Sequence, residues 1–131
     1  MRETFDVAGI TTVSSVYPSA VAVGELIFVS GQVSFDDDGG VIHGGDVTAQ
    51  TAQCISRLAD VLVGVGSVLA DVVQATVYLA DAAYADDFNR EWSHWFAGIR
   101  PARATVVAPL LDPRLLVEIS ATAVRGSGGV R

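Results

Sequence analysis

The stretch Val72-Val73-Gln74-Ala75-Thr76-Val77-Tyr78-Leu79 decides the fold. Val73, Ala75, Val77 and Leu79 alternate with Gln74, Thr76 and Tyr78, the pattern of a strand with one face buried. Such a strand needs partners beside it and a layer over its apolar face. The flanking sequence supplies that layer. Upstream, Asp46 is an N-cap residue type ahead of Val47. Thr51, Cys54, Ile55, Leu58, Val61, Leu62 and Val65 then recur at helical spacing until Gly64 and Gly66 mark the exit. Downstream, Tyr84, Phe88, Trp92, Trp95 and Phe96 form the apolar stripe of a second helix, roughly Tyr84 to Ala97. Asp86 and Asp87 suit the positive end of its dipole.

Further out lie the other strands. Ala20–Val23 and Leu26–Ser30 flank Gly24-Glu25 and predict a tight hairpin. Gly31 follows directly, where the absence of a side chain permits close approach. Asp36-Asp37-Asp38-Gly39-Gly40 reads as a solvated acidic turn, since the ligand spacing of a calcium loop is missing. Two last strands are expected near Arg103–Ala108 and Leu115–Val124. The short Pro109–Arg114 connection between them looks like a hairpin loop. In the last strand Leu115, Val117, Ile119, Ala121 and Ala123 share one face, and Leu116, Glu118, Ser120, Thr122 and Val124 the other.

The predicted order is β-β-α-β-α-β-β, with room for an extra N-terminal strand around Thr4–Val7. This gives an α+β, two-layer domain over residues 1–131, with a mixed sheet covered on one face by two helices. The step from the Leu26 strand to the Val72 strand is expected to be a right-handed parallel crossover. Residues from about 126 to 131 are Gly-rich and read as a flexible tail. The uncovered sheet face still carries apolar residues, which asks for subunit association.

Composition narrows the chemistry. The net charge is −7 and the eight basic residues are all arginine. They are scattered from Arg2 to Arg131, so no basic stripe follows a phosphate backbone and nucleic-acid binding is disfavoured. The lack of lysine excludes a Schiff-base, pyridoxal-phosphate or P-loop lysine. Cys54, the single cysteine, falls in a helical apolar stripe and is read as core. His43 and His94 share no ligand spacing with Cys54, so no metal is expected. No apolar run approaches the roughly 18 residues of a membrane span, and the N-terminal residues lack the apolar core of a signal peptide. A cytoplasmic, reducing setting is the expectation.

Two charges stand out against their strands. Arg103, in Arg100-Pro101-Ala102-Arg103-Ala104-Thr105-Val106-Val107, and Glu118 each interrupt apolar and small residues. Ionised groups there are costly unless paired or used. A structural Arg103–Glu118 salt bridge and a functional pair both fit. Ser30 could satisfy backbone or line a site, and Asn89 could be a surface amide or a ligand contact.

Several segments, in this order and spacing, resemble the RidA/YjgF family of reactive-intermediate (enamine/imine) deaminases, also called endoribonuclease L-PSP. They are Val29-Ser30-Gly31-Gln32, Gly45-Asp46 before a Gln50-containing helix, Thr76-Val77-Tyr78-Leu79-Ala80-Asp81, and Phe88-Asn89. Arg100-Pro101-Ala102-Arg103 and Val117-Glu118-Ile119 complete the set. The similarity runs from about Tyr17 to Val124.

The resemblance implies a chorismate-mutase-like homotrimer with sites in the subunit clefts. It also implies a last strand inserted between the two strands that flank the first helix. By residue, Arg103 matches the substrate-carboxylate arginine and Glu118 the glutamate that positions a hydrolytic water. Tyr17, Ser30 and Asn89 match pocket positions, and Thr105 stands where the family has Cys or Thr. The chain departs from the family at Val16-Tyr17-Pro18, at Val107 and Ser120 (Glu is common at both) and at Leu110-Leu111-Asp112-Pro113. These departures leave subfamily and substrate open. The implied activity is hydrolysis of small 2-imino acids to 2-keto acids and ammonia, with a small carboxylate as substrate and no cofactor. A deaminase of an aminomuconate-type imine, a non-catalytic carboxylate-binding trimer and the ribonuclease activity ascribed to some relatives stand as alternatives.

Overall fold

The computed structural model describes residues 1–7 and 16–129. A hairpin of β2 (Ala20–Val23) and β3 (Leu26–Val33) turns through Gly24, whose positive φ of 59° suits glycine. The N-terminal strand β1 (Arg2–Phe5) pairs antiparallel with β2, starting two residues earlier than expected. Helix α1 (Val47–Gly64) begins where Asp46 accepts a hydrogen bond from the Ala49 N–H at 3.0 Å. Strand β4 (Val72–Leu79), helix α2 (Ala85–Phe96), β5 (Ala102–Val107) and β6 (Val117–Val124) follow.

The six strands lie in the order β1-β2-β3-β6-β4-β5. Strand β6 runs antiparallel to both β3 and β4, so those two are parallel to each other with β6 between them. The chain reaches β5 through α2 and adds it parallel to β4 at the sheet edge. The hairpin suggested by the short Pro109–Arg114 loop does not form. A buried amide guides the insertion instead. Gln50 on α1 donates through Nε2 to the Arg114 carbonyl (2.9 Å) and accepts from the Leu116 N–H (2.8 Å), which fixes the approach to β6.

Ile27, Ala75, Val77, Leu79, Val117, Ile119 and Ala123 meet Ile55, Leu58, Val61, Leu62, Phe88 and Phe96 in one core between sheet and helices. Burial of each large side chain there stabilises the fold by about 1.5–3 kcal/mol. Cys54 lies in this core, and burial pushes its thiol well above the usual range. Val73 departs from its expected inward place. A register shift between Val72 and Gln74 puts Val72 in the core and leaves Val73 41% exposed. On the outer face Leu26, Phe28 and Val106 remain 37%, 46% and 42% exposed.

The Gly-rich segment expected to be a flexible tail is fastened where it is described. Ser127 Oγ donates to the Asp71 carbonyl (3.3 Å) and the Gly128 N–H to its carboxylate (3.0 Å). Burial alone would raise the Asp71 carboxyl. Hydrogen bonds from Ser67 and the backbone of Gly128, Gly126 and Val68 outweigh that and hold it at about 2. Val130 and Arg131 lie outside the described residues.

Candidate active site

Helix α2 ends in a left-handed turn at Arg100 (φ 52°), whose N–H bonds the Phe96 carbonyl at 2.9 Å. Pro101 cannot continue the helix, and the chain passes directly into β5. In β5, Arg103 lies in register with Ala75, so its side chain shares the helix-covered side of the sheet. The guanidinium carbon stands 5.2 Å from the Phe88 ring centroid and 5.0 Å from that of Trp92. Nη2 donates to Asn89 Oδ1 at 2.7 Å. The aromatic stripe of α2 therefore serves twice, as core and as a platform for a cation. Burial lowers the Arg103 pKa from its ordinary value. Among the described residues Arg103 forms no ion pair. A cleft of about 390 Å³ opens beside it, lined in part by Trp92, Ser93, Arg100 and Pro101.

Glu118 lies on the opposite face. In β6 it pairs with Tyr78 of β4 and Val33 of β3, while its neighbours Val117 and Ile119 point into the core. Strand β3 carries one extra residue between Val29 and Gln32, a bulge that contains Ser30 and Gly31. Gly31 sits against the Glu118 carboxyl, where a Cβ would approach Cδ to 2.9 Å. Burial raises the Glu118 pKa above the ordinary carboxylate value. The carboxylate borders a cavity of about 470 Å³ that Tyr17, Ser30, Gln32, Arg57 and Leu111 also line.

Five of the six residues marked out in the sequence thus fall into two groups. Arg103 and Asn89 meet directly on the helix side. Tyr17, Ser30 and Glu118 share the outer cavity. Ser30 Oγ donates to the Pro18 carbonyl (2.7 Å), so the hydroxyl holds the Tyr17-Pro18 segment against the strand. Thr105 lies two residues beyond Arg103 on the same side of β5, in register with Val77, and lines neither space. An intrachain Arg103–Glu118 salt bridge is excluded, because the sheet separates the two groups. Arg57 is the cavity residue that the pattern did not reveal. It is a buried residue of α1 that bonds the Phe35 and Asp36 carbonyls, a contact with a distant segment that no local pattern signals.

This division of groups sits on a fold with many relatives. A family model described as endoribonuclease L-PSP matches residues 10–125. The chain belongs to the RidA/YjgF (L-PSP) family. A RutC family protein of Pyrococcus abyssi is 37% identical over 109 residues, covering 83% of this L-PSP chain and 86% of its own length. A YjgF family protein of Neisseria meningitidis is similar in structure, with a TM-score of 0.81, 34% identity and 95% of each chain covered. A Rid family protein of unknown function from Yersinia pestis gives a TM-score of 0.88 at 25% identity, covering 95% of this chain and 99% of its own. Mixed sheet and two helices are common to these L-PSP structures.

Proposed function

We propose that this L-PSP family chain is a hydrolytic deaminase of small 2-imino acids, working as a homotrimer whose sites combine Arg103 of one copy with Glu118 of another. The observation that carries the reading is the state of Arg103. A partly desolvated guanidinium rests on two aromatic rings, bound to a neutral amide and to no carboxylate. A cation held this way keeps N–H groups for an anion, and the planar fork suits a carboxylate. The second copy is invoked because the sheet keeps the two groups apart within a chain. Strand β5 supports it, being an edge strand exposed at all six positions.

In this mechanism Arg103 anchors the substrate carboxylate and Glu118 orients a water at the imine carbon. Glu118 accepts a proton from the water as its oxygen bonds to the carbon of the protonated imine, which gives a neutral carbinolamine. Glu118 returns that proton to the nitrogen and then takes the hydroxyl proton as the C–N bond breaks, releasing ammonia and leaving the 2-keto acid. A raised carboxyl pKa favours that exchange near neutral pH. Proximity and orientation supply much of the rate, since the protonated imine is already electrophilic. The formal charge of −7 and scattered arginines count against a ribonuclease reading.

The test couples an amino-acid oxidase to a semicarbazide trap. Addition of the protein should accelerate keto-acid release and suppress semicarbazone formation. No acceleration with any imine would overturn the reading.

A further inference from the structure

Arg57 is a buried cation that this mechanism does not use. It stands on α1 with 5% exposure and borders the same cavity as Glu118. Its Nη1 donates to the carbonyls of Phe35 (3.1 Å) and Asp36 (3.3 Å). Those bonds engage one of three guanidinium nitrogens. Among the described residues no fully buried side-chain nitrogen lacks a partner. Nε and Nη2 are therefore not fully buried, and Arg57 is one of the residues that line the cavity. Burial lowers the Arg57 pKa, opposed by the fields of Asp37, Asp60 and Asp36 and by Cys54. A desolvated guanidinium with free N–H groups is a strong site for an oxyanion.

The rest of the cavity suits a chain leading to that cation. Val33, Phe35, Leu111 and Leu115 give it apolar walls, and its volume of about 470 Å³ is in the range of ligand pockets. Asp112 also borders it, but Arg114 holds that carboxylate at 2.7 and 3.1 Å and offsets its charge.

We infer that Arg57 is a specificity-determining residue that selects 2-imino acids whose side chain ends in a second carboxylate. The inference rests on the imine-deaminase reading above. In it Arg103 receives the 1-carboxylate, the imine carbon meets the Glu118 water, and methylene groups lie along the apolar wall. The distal carboxylate then takes the open N–H groups of Arg57. A purely structural Arg57, holding the acidic turn through two carbonyls, would not distinguish substrates.

The experiment measures kcat/KM for imines freshly generated from glutamate and from methionine, and takes their ratio within each variant. The ratio is independent of how much protein is correctly folded. The wild-type chain should favour the glutamate-derived imine, and Arg57→Met should lower the ratio about tenfold or more, the scale of one charge-assisted hydrogen bond. Arg57→Gln keeps an N–H for the Phe35 and Asp36 carbonyls and gives the same reading if Arg57→Met does not fold. An unchanged ratio in these variants overturns the assignment. Should the wild-type protein hydrolyse no imine, the deaminase reading falls by itself. Calorimetric titration with 2-oxoglutarate and 2-oxobutanoate then decides the pocket. Arg57-dependent preference for 2-oxoglutarate upholds it, and equal binding overturns it.

Discussion

Strands β5 and β6 carry one charge each among small and apolar residues, yet they hold it by different means. Strand β5 lies at the sheet edge, and Arg103 is positioned by side chains: two rings beneath and an amide beside it. Strand β6 lies inside the sheet, and Glu118 is positioned by backbone, in the space left by Gly31 within a bulge. Side-chain supports fail by degrees, whereas a backbone support fails when one methyl group is added. The two charges also face opposite ways, so one chain does not bring them together.

The sharpest way to break this comparison is to remove each charge separately. Arg103→Ala and Glu118→Gln should each lower imine hydrolysis about 10²- to 10³-fold, the range for losing one partner of a desolvated charged contact, with circular dichroism unchanged. Unfolding and refolding the two variants together at equal concentration should restore about a quarter of wild-type activity. With random partners, half of all Arg103 positions and half of all Glu118 positions are intact. No recovery would mean that both groups act from one chain.

Gly31→Ala tests the backbone support. The new Cβ must displace the Glu118 carboxyl, and activity should fall about tenfold or more, with stability reduced by roughly 1–3 kcal/mol in urea titrations. Asn89→Ala tests the side-chain support, and there the effect should be a several-fold rise in KM with kcat nearly kept.

The smallest effect concerns pH. Because the folded state raises the Glu118 pKa, it binds that proton more tightly than the unfolded chain does. Stability from this group is therefore greatest below the ordinary carboxylate pKa and falls as pH rises towards the raised value. Glu118→Gln should abolish that decline, giving the higher urea midpoint above the window. The acid limb of wild-type kcat/KM should lie above the ordinary carboxylate range.

Much of the fold was legible because alternation and helical spacing report which side is buried. They located α1, α2, β4 and the hairpin, and Asp46 was placed at its cap. The position of β6 was not legible from local pattern, since a six-residue loop suits a hairpin equally well; only the family resemblance pointed to insertion. The Gln50 bridge that directs it joins residues 64 and 66 positions apart, beyond any local signal. Val73 was misread because a bulge shifts alternation by one residue. Arg103, Glu118 and Ser30 were legible as charges and a hydroxyl among apolar neighbours, but not the face each would occupy. Arg57 looked like an ordinary helical arginine until the acidic turn folded over it.

No helix among the described residues is long and apolar enough to cross a membrane. The order in which the sheet is completed has a consequence during synthesis. A nascent chain emerging at roughly 5–20 residues per second has β3 and β4 in hand well before β6. Until then both inner edges lack their shared neighbour, with open backbone amides and carbonyls. The ribosome must release nearly the whole chain before either edge is sealed. Messages cut short upstream of Val117 should therefore yield protein that clumps or is degraded, not a smaller working unit.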